Sequence, residues 1–236
     1  MQAMRWTLPV ARWSFAVAGA AEVGFIEPMV RRRLSSLSRS ALKVAHDCLP
    51  AQTEASTDAG IRVVFASRHG ELKRTTDILH AITENESVSP TAFSLSVLNA
   101  MTGVLGISRG ERAPASALSA GEQTLGLALL EAHAQLATAP SSPVLVVYAD
   151  EPADPIYGAG HDAASGALAI LLDDRAAQHI ECTRTHEAAP SPSAASFATQ
   201  AEALRHCLES KTAAQWRAPS ASTSDVWQWS WHAGSR

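Results

Sequence analysis

Three sets of residues in this chain have side chains suited to catalysis. Ser119, His69 and Asp150 are the types of a hydrolase triad: a hydroxyl nucleophile, an imidazole base and a carboxylate to orient it. Such sets assemble in space, so their separation in sequence decides nothing. His69 also reads as a hydrogen-bonding histidine at a turn, and Asp150 with Glu151 as carboxylates ending a strand. Cys48, Cys182 and Cys207 are odd in number, far apart and without a CxxC or Cys/His spacing. They read as small buried thiols in a reducing cytoplasm, with no metal expected. No GxSxG, GxGxxG, Walker A or HExxH pattern occurs, and no cofactor is expected. The third set is SAGEQTLGLALLEA (119–132), a strand-to-helix turn of the kind that mounts a nucleophile. Its elbow carries Gln123, whose carboxamide hydrogen-bonds but forms no acyl intermediate.

These residues need a frame. ASAL (115–118) reads as the short strand feeding the turn, and 122–137 as a helix apolar on most sides, hence central. IRVVFAS (61–67) and PVLVVYAD (143–150) read as buried strands, the first followed by the turn Arg68-His69-Gly70 and the second ending at Asp150. Residues 12–19 form a further strand, and 29–48 a helix with Leu34, Leu37, Ala41, Val44 and Ala45 at near-helical spacing. The stretch 51–60 is a polar loop. Residues 71–83 read as an amphipathic helix with Leu72, Ile78, Leu79 and Ile82 inward. Ser89-Pro90-Thr91 starts a helix that runs on through AFSLSVLNAMTGVLGI, where Gly103 and Gly106 suggest close approach of another backbone. GALAILLDD (166–174) and HIECTRTH (179–186) pattern as an antiparallel pair, 190–196 as a connector, 197–208 as a helix. VWQWSWH alternates tryptophan with polar residues, as a strand with an exposed face does. Strand–helix alternation through residue 150 predicts βαβ units, an α/β fold with a mainly parallel sheet.

Composition excludes several classes. With 46% hydrophobic residues the chain can bury a core, and a net charge of −4 without a basic block argues against a nucleic-acid groove. No apolar run is long enough to span a membrane. The one basic cluster, Arg31-Arg32-Arg33 with Arg39, reads as a solvated helix start or a docking patch for an acidic protein.

The run NAMTGVLGISRGERAPASALSAGEQTLGLALLEA (99–132) resembles the nucleophile region of β-ketoacyl synthases. In that thiolase-like family a cysteine stands at the N-terminus of a buried helix, which lowers the thiolate pKa and helps build an oxyanion hole. Asn99 and Gly103 match the preceding helix, and aligning on Gly126-Leu127 places Gln123 at the cysteine's position. Gly121-Glu122-Gln123 is similar to the Gly-Glu-Gln of chain length factors, the non-condensing partners of ketosynthases in type II polyketide systems. A closer resemblance is to a short ketosynthase-like family of aryl polyene and xanthomonadin-type pigment pathways. It is carried by RRRLSSLSR (31–39), VFASRHGEL (64–72), SPTAFSLSVLNAMTG (89–103), SAGEQTLGLALLEA and VLVVYADEP (144–152). Two features depart from the pattern: Leu98 stands where that family's Ser-Val-His-Asn-Ala motif has histidine, and no second half with a decarboxylation histidine pair is recognisable.

The resemblance implies a thiolase-like domain over 1–186, with 187–236 as connector, helix and Trp-rich strand packed on it. It implies no catalytic residue of the chain's own. The partner would be a β-ketoacyl-ACP synthase in a cytoplasmic heterodimer, with acyl carrier protein reached through the complex. Ala115, Ser116, Ala117 and Leu118 would pair across the two-fold axis; Phe93, Val97, Leu98 and Met101 would line the acyl tunnel, three of them at i, i+4, i+8 on one helical face. Three other readings stay open: a hydrolase or acyltransferase using Ser119, a decarboxylase assisted by Gln123, and a purely structural subunit.

Overall fold

The computed structural model describes residues 3–17, 21–50, 60–157, 166–186, 191, 193–219 and 225–234. Residues 51–59 of the expected polar loop, and residues 187–190 and 192 of the connector region, lie outside the described residues.

The chain opens with β1 (Met4–Val17) and α1 (Pro28–Arg31), then α2 (Ser36–Cys48), β2 (Arg62–Ala66) and α3 (Leu72–Thr83). Next come α4 (Pro90–Ser94), α5 (Ala100–Arg109), β3 (Ala115–Leu118), α6 (Thr124–Thr138) and β4 (Val144–Asp150). β5 (Gly166–Leu172), β6 (His179–His186), β7 (Ala195–Phe197), α7 (Gln200–Ser210), β8 (Ala214–Arg217) and β9 (Asp225–His232) complete it. The strands form one sheet in the order β3-β2-β4-β5-β1-β6-β9-β8-β7.

β1 is the shared element. Its residues 10–17 pair antiparallel with β5 and its residues 4–9 with β6, with a register shift between Val10 and Arg12. β5 and β6 are therefore not a hairpin with each other, as their patterns suggested; β1 lies between them. The strand also begins earlier than the expected residue 12, because Trp6, Leu8 and Val10 alternate into the core ahead of it. The expected parallel pairing holds for β3, β2 and β4. Elsewhere only β7 and β8 run parallel, so the sheet is mixed.

In the β2-β4-β5 region both faces are apolar, the mark of strands buried on two sides. Val64, Val146, Leu168 and Ile170 face α6; Phe65, Leu145, Val147 and Ala169 face α2 and α5. α2 starts at Ser35, whose hydroxyl accepts the Ser38 N–H at 3.0 Å. That cap splits the expected 29–48 helix into α1 and α2. β6, β9 and β8 turn Ile180, Cys182, Trp227, Trp229 and Trp216 onto the same core as α6 and α7. Their other face carries Glu181, Thr183, Gln228 and Ser230, all partly exposed.

Two helix readings need correction. α3 buries Thr76 alone, while Leu79 and Ile82 face outward. The helix expected from Ser89 onward is two short helices. Ser94 and Ser96 turn their hydroxyls onto the carbonyls of Thr91 and Phe93, competing with helix continuation at the break. Phe93, Val97 and Met101 therefore do not share one helical face. Gly103 also has no other backbone near it: a Cβ there would meet nothing within 4 Å.

Candidate functional site: the strand-to-helix elbow

β3 ends at Leu118, and the chain turns through Gly121 at φ +60°, a left-handed conformation that suits glycine, into a single 3-10 turn, Gly121–Gln123. Thr124 locks the turn: its hydroxyl accepts the Ala120 N–H at 2.9 Å and donates to the Gly121 carbonyl at 2.6 Å. Gln123 is thereby the N-cap of buried α6, the place where a nucleophile would feel the helix N-terminus.

Its carboxamide does not cap its own helix. Oε1 accepts the indole N–H of Trp227 at 3.1 Å, and the side chain also hydrogen-bonds the Asp225 carboxylate. The helix is capped instead from α7, where Gln200 Oε1 accepts the Gly126 N–H at 2.9 Å. Trp227 lies flat over the first turn: a Cβ on Gly126 would come within 2.4 Å of its ring. Trp6 meets Trp227 edge-on at 5.9 Å, and Trp229 stacks near it at 6.4 Å.

Asp225 anchors this arrangement. Its Oδ2 takes both Nε and Nη2 of Arg184, at 3.2 and 2.6 Å, and its Oδ1 lies 2.9 Å from His186 Nδ1. Burial pushes its carboxyl up, but the hydrogen bonds from Arg184 and His186, the Arg184 charge and the bond from Gln123 outweigh burial and hold it below the usual range. Sequence reading singled out neither Asp225 nor Gln200, Arg184 or His186. The alternation in VWQWSWH was a signal for Trp227 and its neighbour; nothing local marked the others.

Ser119, His69 and Asp150 gather at one end of the sheet, but the bonds of Ser119 and Asp150 run to backbone groups and to other hydroxyls. Ser119 Oγ donates to the Arg68 carbonyl at 2.9 Å. Buried Asp150 accepts from Ser67 Oγ (2.8 Å), from the N–H groups of Arg68 (2.9 Å) and His69 (3.2 Å), and from Tyr148 OH (2.6 Å). Burial, followed by the charge and hydrogen bond of Asp150, keeps the Tyr148 phenol protonated. Asp150 thus fixes the turn after β2 and does not orient an imidazole. All three cysteines are buried; burial raises Cys48 to about 12, Cys207 to about 11 and Cys182 well above its ordinary value.

The four expected tunnel residues separate. Met101 is buried and Leu98 half-buried against the α2 side of the core. Phe93 and Val97 are 65% and 49% exposed, as open to solvent as Leu79 and Ile82 are. Ala115–Leu118 is an edge strand, paired only with β2 among the described residues. No cluster of three or more metal-ligating side chains, and no helix long and apolar enough to cross a membrane, occurs among the described residues.

Residues 6–230 match the family described as "Beta-ketoacyl synthase, N-terminal domain". The chain belongs to this β-ketoacyl synthase family. Its fold is the thiolase-like ketosynthase fold, a mixed sheet with helices packed on it. Among solved structures, the fold is similar to that of the ketosynthase (ApeO) in complex with its chain length factor (ApeC) from Xenorhabdus doucetiae. The TM-score is 0.71 at 24% identity, over 95% of this chain and 99% of that one. The ishigamide ketosynthase/chain length factor matches with TM-score 0.60 at 16% identity, over 86% of this chain and 72% of that one. A β-ketoacyl synthase from Burkholderia phymatum STM815 matches with TM-score 0.56 at 11% identity, over 75% of this chain and 54% of that one. No curated protein gives a significant match.

Proposed function

We propose that this chain is a non-catalytic ketosynthase-like subunit, a chain length factor. It pairs with an active β-ketoacyl-ACP synthase and shapes that enzyme's acyl tunnel in aryl polyene, polyketide-type or fatty-acid-like biosynthesis. The observation that carries the reading is Gln123 at the N-cap of α6, its carboxamide bonded to Trp227 and Asp225. A carboxamide cannot form a thioester, so covalent acyl transfer is lost at this elbow.

Two further features support it. Among the described residues β3 is an edge strand, which a partner's strand can extend. Phe93 and Val97 are large apolar side chains left in solvent, as an interface or tunnel wall requires. The ApeO–ApeC structure is itself a ketosynthase with its chain length factor, which gives the pairing a precedent on this fold. In this reading the chain is cytoplasmic, and acyl carrier protein reaches the complex at the exposed Arg32-Arg33 turn, whose charge suits an acidic protein.

The test is co-expression of the tagged chain with the ketosynthase encoded nearest to it, followed by native mass spectrometry and a malonyl-condensation assay. A one-to-one complex that condenses only when both chains are present is the expected result. A stable lone chain that ignores the ketosynthase sinks the reading.

A further inference from the structure

We propose that Trp227 seals this chain's own elbow, so that the position stays unreactive whichever side chain stands at 123. The inference rests on reading Gln123 as the former nucleophile position; it does not depend on the partner.

An elbow nucleophile needs two things besides a sulfur or hydroxyl: free N–H groups in the first helical turn, and open space for the electrophile. Side chains from the C-terminal part of the chain take one of these N–H groups and much of this space. Gln200 fills the Gly126 N–H. The six-membered ring of Trp227 covers the same turn, with three of its carbons within 2.7 Å of where a residue-126 Cβ would stand. Its indole N–H then reaches residue 123 itself.

The seal is held rigidly. β9 is hydrogen-bonded on both sides, to β6 and to β8. Trp227 is fully buried, edged by Trp6, flanked by Trp229 and covered by the Arg184 guanidinium at 5.4 Å. Arg184 is in turn fixed by Asp225. A cysteine at 123 would be shorter than glutamine, and its sulfur would lie closer to the backbone, deeper beside the indole. Restoring the thiol therefore does not restore the site.

The experiment is alkylation of the full-length chain by iodoacetamide, read by peptide mass spectrometry at position 123. In the reaction the thiolate forms an S–C bond, iodide leaves and the thiol proton passes to buffer. Cys48, Cys182 and Cys207 are buried, so their protection reports folding in the same sample. Gln123→Cys alone is expected to react at least about tenfold more slowly than an exposed thiol. Adding Trp227→Ala is expected to raise the rate about tenfold or more while the three native thiols stay protected. If the double variant exposes the native thiols, Trp227→Phe replaces it, with a smaller rise expected because one ring is lost. Equal rates at 123 with and without the Trp227 change, in folded protein, overturn the proposal.

Discussion

Trp227 and Gly126 are a matched pair: the indole occupies the space in which a side chain on residue 126 would begin. Gly126→Ala should therefore destabilise the fold by about 1–3 kcal/mol through overpacking. Urea melts of Gly126→Ala, Trp227→Leu and the combined variant test this. The combined loss should be smaller than the sum of the two, because the smaller side chain leaves room for the new methyl. Strict additivity would mean that the two residues do not share that space.

Asp150 holds the turn after β2 by accepting two backbone N–H groups and two hydroxyls. Asp150→Asn replaces one acceptor oxygen with a donor and removes the charge. A loss of about 1–3 kcal/mol is expected, together with faster amide exchange at Arg68 and His69. Unchanged exchange at those amides would show that the turn stands without the carboxylate.

Met101 and Phe93, both expected from the family resemblance to line a tunnel, should behave oppositely. Met101→Ala removes a buried side chain and should cost about 2–5 kcal/mol. Phe93→Ala and Val97→Ala remove exposed ones and should leave the chain's stability within about 0.5 kcal/mol. Their effect should appear in the complex, as longer products from the partner synthase by mass spectrometry. Unaltered product length in an intact complex would favour a purely structural subunit.

The buried thiols set an alkaline limit. Cys48 and Cys207 bind their protons more tightly folded, to about 12 and 11, than their ordinary value of 9.0. Stability linked to them is therefore complete below pH 9.0 and is lost as pH rises through those values. The melting temperature should fall between pH 9 and 11, and a Cys48→Ser, Cys207→Ser variant should show a shallower fall over that window. Parallel profiles would assign the alkaline loss to other groups.

Arg32 and Arg33 are exposed, whereas Arg39 and Arg74 spend their guanidinium groups on the carbonyls of Arg31 and Arg33. Arg32→Glu with Arg33→Glu should leave folding and heterodimer formation intact while weakening acyl carrier protein binding, most visibly at low salt. Binding measured by interferometry at two ionic strengths checks this, and salt-independent, unchanged affinity counts against the docking role.

How far the sequence could be read depended on the range of the interaction involved. α2 and α6 were legible because Leu37, Ala41 and Val44, or Leu125, Leu129 and Leu136, repeat along one helix. The elbow was legible because strand, glycine turn and apolar helix follow one another directly. The break between α4 and α5 was not, since serine hydroxyls bonded to nearby carbonyls decide it and apolar spacing runs straight across. Leu79 and Ile82 misled for the opposite reason: an amphipathic stripe says that a face is apolar, not which neighbour covers it. The cap from Gln200, the clamp of Asp225 on Arg184 and the position of β1 between β5 and β6 join segments remote in sequence, so no local pattern announces them.

The double pairing of β1 also bears on how the chain comes to fold. β1 is made before every other described element, yet the strand partner of its residues 4–9 is the late β6, whose other edge pairs with the still later β9. Until those late strands emerge from the ribosome, the edge beside Trp6 and Leu8 stays open, and the part of their core supplied by Ile180, Cys182, Trp227 and Trp229 is missing. Such long-range closure slows folding and leaves the nascent chain prone to clumping. A version truncated before β6 should accumulate in inclusion bodies or on chaperones, even though it keeps residues 119–132.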